Sequence, residues 1–219
     1  QVYDSRGNPT VEADVILESG AMGRAIVPSG ASTGSHEALE LRDGDPARFR
    51  GRSVYNAIRN VQTIIAPTLI GASVADLAEV DRTLIELDGT ANKSRLGANA
   101  LLAVSAASAH AAATELSLPL YRSLGGDDGR ELPLPITQII GGGAHASGAV
   151  DVQDFSVVPI GAASFTECLE MLFNVYWSTR DAMEGRGKPV GVADEGGFWP
   201  TFDYNEEGLE VLMEGIERS

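Results

Sequence analysis

Apolar and polar positions alternate along residues 10–17, with Val11, Ala13, Val15 and Leu17 set against Glu12, Asp14 and Ile16. A period of two is the mark of a half-buried strand. Ser19-Gly20 reads as a turn and residues 21–27 as a returning strand, so the pair predicts an antiparallel hairpin. The pattern then breaks. Residues 28–36 are turn formers with little to bury and predict no regular element. Val54, Ala57, Ile58, Val61, Ile64 and Ile65 recur at helical spacing, and the helix is expected to stop at Pro67. Leu77, Val80, Leu84 and Leu87 form a second stripe, ending at Asp88-Gly89. Residues 97–116 are rich in alanine and small nearly all round, as in a helix packed closely on several sides.

The texture changes between Gly125 and Leu134, where a domain boundary is expected. Beyond it, residues 135–140 and 152–158 read as strands. Ser164 with Glu167 makes a capping box, opening a helix whose inner side should carry Phe165, Leu169, Leu172, Phe173 and Tyr176. Residues 190–193 read as a short buried strand, and Asn205 as the cap of a last helix bearing Leu209, Leu212, Met213 and Ile216. No internal repeat is visible. Three strands and two helices do not close an α/β architecture, so this second part reads as unfinished.

The chain has 219 residues, with 16 Lys plus Arg, 31 Asp plus Glu and a formal charge of −15. With no segregated basic patch, such a chain is repelled by nucleic-acid phosphates and anionic membranes. Its single cysteine, Cys168, excludes an internal disulfide and multi-cysteine zinc patterns. No apolar run approaches the roughly 20 residues of a membrane span, and no signal peptide is visible. A cytoplasmic protein without nucleic-acid or membrane partners is the expectation. Gln1-Val2-Tyr3-Asp4 reads like the interior of a chain.

Three motifs compete for the chemistry. Gly30-Ala31-Ser32-Thr33-Gly34 fits the nucleophile elbow of a serine hydrolase, but glycines and serines flank it where a tight strand-to-helix turn is required. An active-site serine probe labelling Ser32 would revive that reading. Gly141-Gly142-Gly143-Ala144-His145-Ala146 fits a dinucleotide fingerprint, but no helix follows, and the nearest acid, Glu167, opens a helix rather than ending a strand. Asp194-Glu195-Gly196-Gly197 puts two carboxylates after a short apolar run, where α/β barrels carry catalytic groups, although a solvated turn is the simpler reading of that segment alone. His145 alone fits a loop histidine, and Asp154 a buried structural acid. Gln153 and Asp154 should face opposite ways unless the strand ends or bulges there.

Asp4-Ser-Arg-Gly-Asn-Pro-Thr-Val-Glu12, Val27-Pro-Ser-Gly-Ala-Ser-Thr-Gly34, His36-Glu-Ala-Leu-Glu-Leu-Arg-Asp-Gly44, Leu87-Asp-Gly-Thr90, Asn92-Lys-Ser-Arg95 and Gly97-Ala-Asn-Ala100 occur in an ordered series. Pro119-Leu-Tyr121, Gly142-Gly-Ala-His-Ala146 and Asp194-Glu-Gly-Gly-Phe198 continue it. Over essentially its whole length the chain resembles the N-terminal half of an enolase. The resemblance implies an α/β fold: an N-terminal α+β domain at 1–124, then the first, incomplete part of a β/α barrel at 133–219. It implies a magnesium-dependent glycolytic lyase, commonly a homodimer or octamer, that interconverts 2-phosphoglycerate and phosphoenolpyruvate. In that family a lysine removes a weakly acidic proton while two Mg²⁺ ions stabilise the enolate. A protonated glutamate then helps the hydroxyl leave.

Carried over by resemblance, Glu195 matches the general acid, Ser32 the loop serine that ligates the second Mg²⁺, and His145 and Gln153 substrate-contacting positions. Asp154 stands where the family has glutamate assisting around the leaving hydroxyl. It is one methylene shorter, and displacements of about 1 Å can cost roughly 10²-fold. Gly141 replaces the usual asparagine, and Trp199 and Thr201 are also unusual. The lysine base, the three carboxylates for the first Mg²⁺ and the phosphate-gripping arginine and serine are expected beyond Ser219, so the chain reads as a piece of a longer product, inactive alone and prone to aggregate through open barrel edges. The alternative is a divergent, weakly catalytic protein acting as a binding module.

Overall fold

A computed structural model describes residues 1–30, 33–146, 150–188, 190–193, 195–199 and 201–219, the side chains of 144 and 145 apart. The chain forms two compact units, Gln1–Arg130 and Glu131–Ser219.

In the first unit, β1 (Val2–Tyr3), β2 (Pro9–Ile16) and β3 (Met22–Val27) form an antiparallel sheet in the order β1-β2-β3. The expected hairpin is present, with Val11 opposite Val27 and Ile16 opposite Met22. The alternation works as read: Val11 and Ala13 are buried while Asp14 and Ile16 face out. On the sheet lies α4 (Ala98–Glu115), which buries ten of its residues. Its small side chains let the backbones approach closely. A Cβ added at Gly23 would stand 2.1 Å from the Ala107 carbonyl oxygen and the Ala111 nitrogen. Only glycine fits there.

The remaining helices of this unit close the core around Ile65, Leu84 and Leu96. The helix expected to stop at Pro67 does not: α1 (Tyr55–Asn60) runs through a π-helical turn (Val61–Ile65) into α2 (Ala66–Leu69). Proline lacks an N–H and its ring crowds the carbonyl four residues back. A π turn, with its wider hydrogen-bond spacing, removes the demand for that bond. Next come α3 (Leu77–Asp88), capped by the Asp76 side chain accepting from the Glu79 amide at 3.1 Å, and α5 (Leu120–Gly125).

The second unit holds β4 (Thr137–Gly141), β5 (Asp154–Val157), α6 (Phe165–Gly185) and α7 (Asn205–Arg218). Its core gathers Ile139, Ile140, Phe155, Val175, Met183, Phe198 and Val211. A closed β/α barrel needs eight strands. Two are found among the described residues, paired antiparallel.

Four local expectations need correction. Residues 190–193 make no ladder: Val192 has an isolated bridge to Phe198 and is 59% exposed. The buried face of α6 is Cys168, Leu172, Val175, Thr179, Ala182 and Met183, whereas Phe165, Leu169 and Phe173 face out. Two apolar stripes share this helix, and the one with smaller side chains permits the close contact with α7. There, a Cβ on Gly215 would stand 2.1 Å from Thr179 Oγ1. On α7 itself, Val211 and Leu212 are buried while Leu209, Met213 and Ile216 are exposed. Asn205 is not the cap of α7. Tyr204 occupies that position, and the Asn205 side chain accepts from the Asp151 amide instead. At α6 the Ser164 hydroxyl does cap Glu167, but the returning carboxylate takes the Ala163 amide at 2.6 Å.

Glu207 ties α7 to the segment after α6. Its carboxylate is 3.0 Å from the Lys188 ammonium and accepts from the Asp203 amide at 2.9 Å. Burial pushes this carboxyl up, but the Asp203 and Lys188 hydrogen bonds and the nearby Lys188 and Arg186 charges outweigh it and hold it below its ordinary value. A depressed folded-state value gives stability that is present above the unfolded value and lost as pH falls through the folded one. We therefore expect Glu207→Gln to cost about 2 kcal/mol at neutral pH. In urea unfolding curves, the gap from wild type should close as the solution is made acid.

Candidate active site

The geometry is set by the C-terminal end of β4. On one side, Gly141 pairs with Asp154 at the start of β5, and the Gly142 amide donates to the Gln153 carbonyl at 2.7 Å. On the other side, the Gly141 amide donates to the Phe198 carbonyl at 2.7 Å and the Phe198 amide to the Ile139 carbonyl at 2.9 Å. Directly after β4 comes a 3-10 turn, Gly143–Ala146, which contains His145. Three separate stretches of sequence thus meet at one strand end.

Gln153 and Asp154 do not face opposite ways. The strand begins at Asp154, and the Gln153 amide donates to Asp154 Oδ2 at 3.3 Å. The other oxygen, Oδ1, accepts from the side-chain amide of Gln138. Both amides donate to the carboxylate of Asp154, which is exposed.

Glu195 stands on a turn rather than a strand. The Ala193 amide donates to the Gly197 carbonyl at 2.8 Å and the Gly196 amide to the Ala193 carbonyl at 2.9 Å, closing the loop under an exposed Glu195. Tyr176 of α6 holds this turn in place. Its ring stacks on Phe198 with centroids 4.1 Å apart, and its hydroxyl donates to the Gly196 carbonyl at 3.0 Å. Burial pushes the Tyr176 hydroxyl up, so it stays a proton donor at neutral pH. Tyr176→Phe keeps the stacking and loses the bond. We expect a cost of about 1 kcal/mol in thermal unfolding, with faster amide exchange at Ala193 and Gly196.

Ser32 and Asp194 lie outside the described residues, as does the side chain of His145. The segments flanking Ser32 are anchored at both ends. Arg6 donates to the Ser29 carbonyl at 2.6 Å, Ser29 donates to Glu40 at 2.6 Å, and Glu37 accepts from the Gly34 amide at 2.7 Å.

Two residues at this strand end were not singled out from the sequence. Gln138 carried a usable signal, being an amide beside an apolar pair in a buried strand. Tyr176 carried none, because a tyrosine on an apolar helix stripe reads as core. Among the described residues no three His, Cys, Asp or Glu side chains converge to hold a metal ion. The described donors do not by themselves make a magnesium site.

Fold and site together define an α/β chain: a small domain with antiparallel strands, followed by a unit of two strands and two long helices with Asp154 and the Glu195 turn beside the C-terminal end of β4. The model of the enolase N-terminal domain matches residues 1–124, and that of the enolase C-terminal TIM barrel domain matches residues 130–219. The chain belongs to the enolase family. No single helix among the described residues is long and apolar enough to cross a membrane.

Proposed function

We propose that this chain is the first part of a glycolytic, cytoplasmic lyase that interconverts 2-phosphoglycerate and phosphoenolpyruvate plus water. The observation that carries the reading is the meeting of Gln153, Asp154, the His145 turn and the Glu195 turn at the C-terminal end of β4. That is the face on which barrel enzymes place their chemistry. Membership of the enolase family supports the same reaction class.

In this reading the Glu195 carboxyl gives its proton to the departing hydroxyl as the carbon–oxygen bond breaks, so that water leaves rather than hydroxide. Asp154 orients that hydroxyl, held by two amides. Gln153 and His145 contact the substrate, and Ser32 belongs to the loop that closes over it. Removal of the carbon-bound proton, the phosphate grip and the principal magnesium ligands fall to barrel strands beyond the two described here. The complete enzyme is magnesium-dependent and a homo-oligomer, while the 219 residues alone are inactive.

The test is conversion of 2-phosphoglycerate by the intact gene product, stripped with a chelator and resupplied with Mg²⁺. We expect phosphoenolpyruvate to form only after resupply. An intact, folded product that forms none with Mg²⁺ present would favour the binding-module reading, in which the shorter Asp154 marks lost catalysis.

A further inference from the structure

Two of the positions that depart from the family pattern, Gly141 and Asp154, are direct partners across the β4–β5 ladder. The ladder slips between Gln138 and Ile140, leaving Gln138 opposite Ser156, two residues along β5 from Asp154 on the same face. Diagonal neighbours of this kind are about 7–8 Å apart, within reach only of long side chains. Gln138 spans the gap, its Nε2 donating to Asp154 Oδ1.

The space it crosses is the one a side chain at 141 would enter. A Cβ built on Gly141 would meet Gln138 Nε2 at 3.6 Å and the Ala193 Cβ at 3.4 Å. On the far side of the amide, Gln138 Oε1 is buried, with no hydrogen-bond partner among the described residues. It would stand 2.9 Å from a Cβ on Gly197. Asp154 fixes which end of the amide points where, since turning it over would set an oxygen against the carboxylate.

We propose that Gln138 is the positioning residue for Asp154, supplying from position 138 the side-chain amide that position 141 lacks. The shortened acid, the missing side chain and the long amide form one matched set. This rests on the lyase reading only for what Asp154 is used for; the pairing itself needs no turnover.

The test is nuclear magnetic resonance of the intact ¹³C,¹⁵N-labelled gene product, following the side-chain amide of Gln138, assigned through its couplings to the Gln138 backbone. The Gln138 amide resonances should move through one carboxylate transition as pH is lowered. That transition should vanish in Asp154→Asn and persist in Glu195→Gln, which removes a neighbouring carboxylate. Adding Gly141→Asn to Gln138→Ala should give a new asparagine amide that follows the same transition. Asp154 is exposed, so Asp154→Asn is expected to keep the fold and decides the matter even where Gln138→Ala does not. Gln138 resonances indifferent to pH, or unchanged by Asp154→Asn, would overturn the proposal. An intact gene product that makes no phosphoenolpyruvate while Gln138 follows Asp154 would overturn the lyase reading alone.

Discussion

Replacing Glu195 by glutamine in the intact gene product is expected to lower kcat for phosphoenolpyruvate formation by about 10³-fold, the middle of the range for loss of a general acid. Glutamine matches glutamate in shape and keeps hydrogen-bonding capacity, so the turn closed between Ala193 and Gly197 should persist. What it lacks is a proton to donate as the hydroxyl leaves. KM should change little, because the loss falls on the transition state rather than on substrate binding. A parallel fall in kcat/KM would follow. Steady-state kinetics of the two proteins decide it, and a rate within a few-fold of wild type would remove Glu195 from the proposed role.

The largest expected effect on stability is at Asp88, which is 1% exposed. Its carboxylate accepts from the Leu96 amide at 2.8 Å, from the Thr90 amide at 3.0 Å and from the Thr90 hydroxyl. The Arg95 guanidinium donates to the Asp88 carbonyl at 2.8 Å. Burial pushes the Asp88 carboxyl up, yet the bonds from Thr90 and Leu96 and the charge of Arg95 prevail and hold it below the ordinary range.

Asp88→Ala removes the carboxylate and leaves the Leu96 and Thr90 donors without it. At about 1–3 kcal/mol for each group left unsatisfied, we expect a loss of about 4 kcal/mol at neutral pH. Asp88→Asn retains one acceptor and should lose about half as much. Because the folded value is depressed, the wild-type advantage is full above the unfolded value near about 3.9. It declines as pH falls through the lower folded value. Denaturant unfolding at neutral and acid pH measures both. Equal stability of Asp88→Ala and wild type at neutral pH would contradict the account.

Asp88 also shows what the sequence made legible and what it concealed. Leu87-Asp-Gly-Thr90 and Asn92-Lys-Ser-Arg95 stand out as motifs of the resemblance. In the fold, Asp88, Thr90 and Arg95 close a loop from α3 onto Leu96, at the entry to α4. Local patterns that depend on one element's own geometry were readable: the β2–β3 hairpin, the stripe of α3 and the all-round smallness of α4. Patterns that depend on which neighbour arrives were not. Two apolar stripes on α6 are equivalent until Gly215 of α7 meets Thr179 and selects the narrower one. Pro67 reads as a stop because the widening of the preceding turn has no signature in spacing. Asn205 is a good cap by type, but the Asp151 amide offers its side chain another partner.

At the candidate site, the acids were visible as residue types in a resembling order, whereas their neighbours were not. Gln138 meets Asp154 only because of the slip in the ladder, and Tyr176 reaches Gly196 from a helix 20 residues earlier in the chain.

The most direct measurement follows magnesium-dependent conversion of 2-phosphoglycerate through purification from the native source, and takes the mass of the active polypeptide that carries this sequence. Activity is expected to reside in a polypeptide well above the 23.0 kDa of these 219 residues, large enough for the remaining barrel strands. A native polypeptide of 23.0 kDa, folded and without lyase activity, would contradict it.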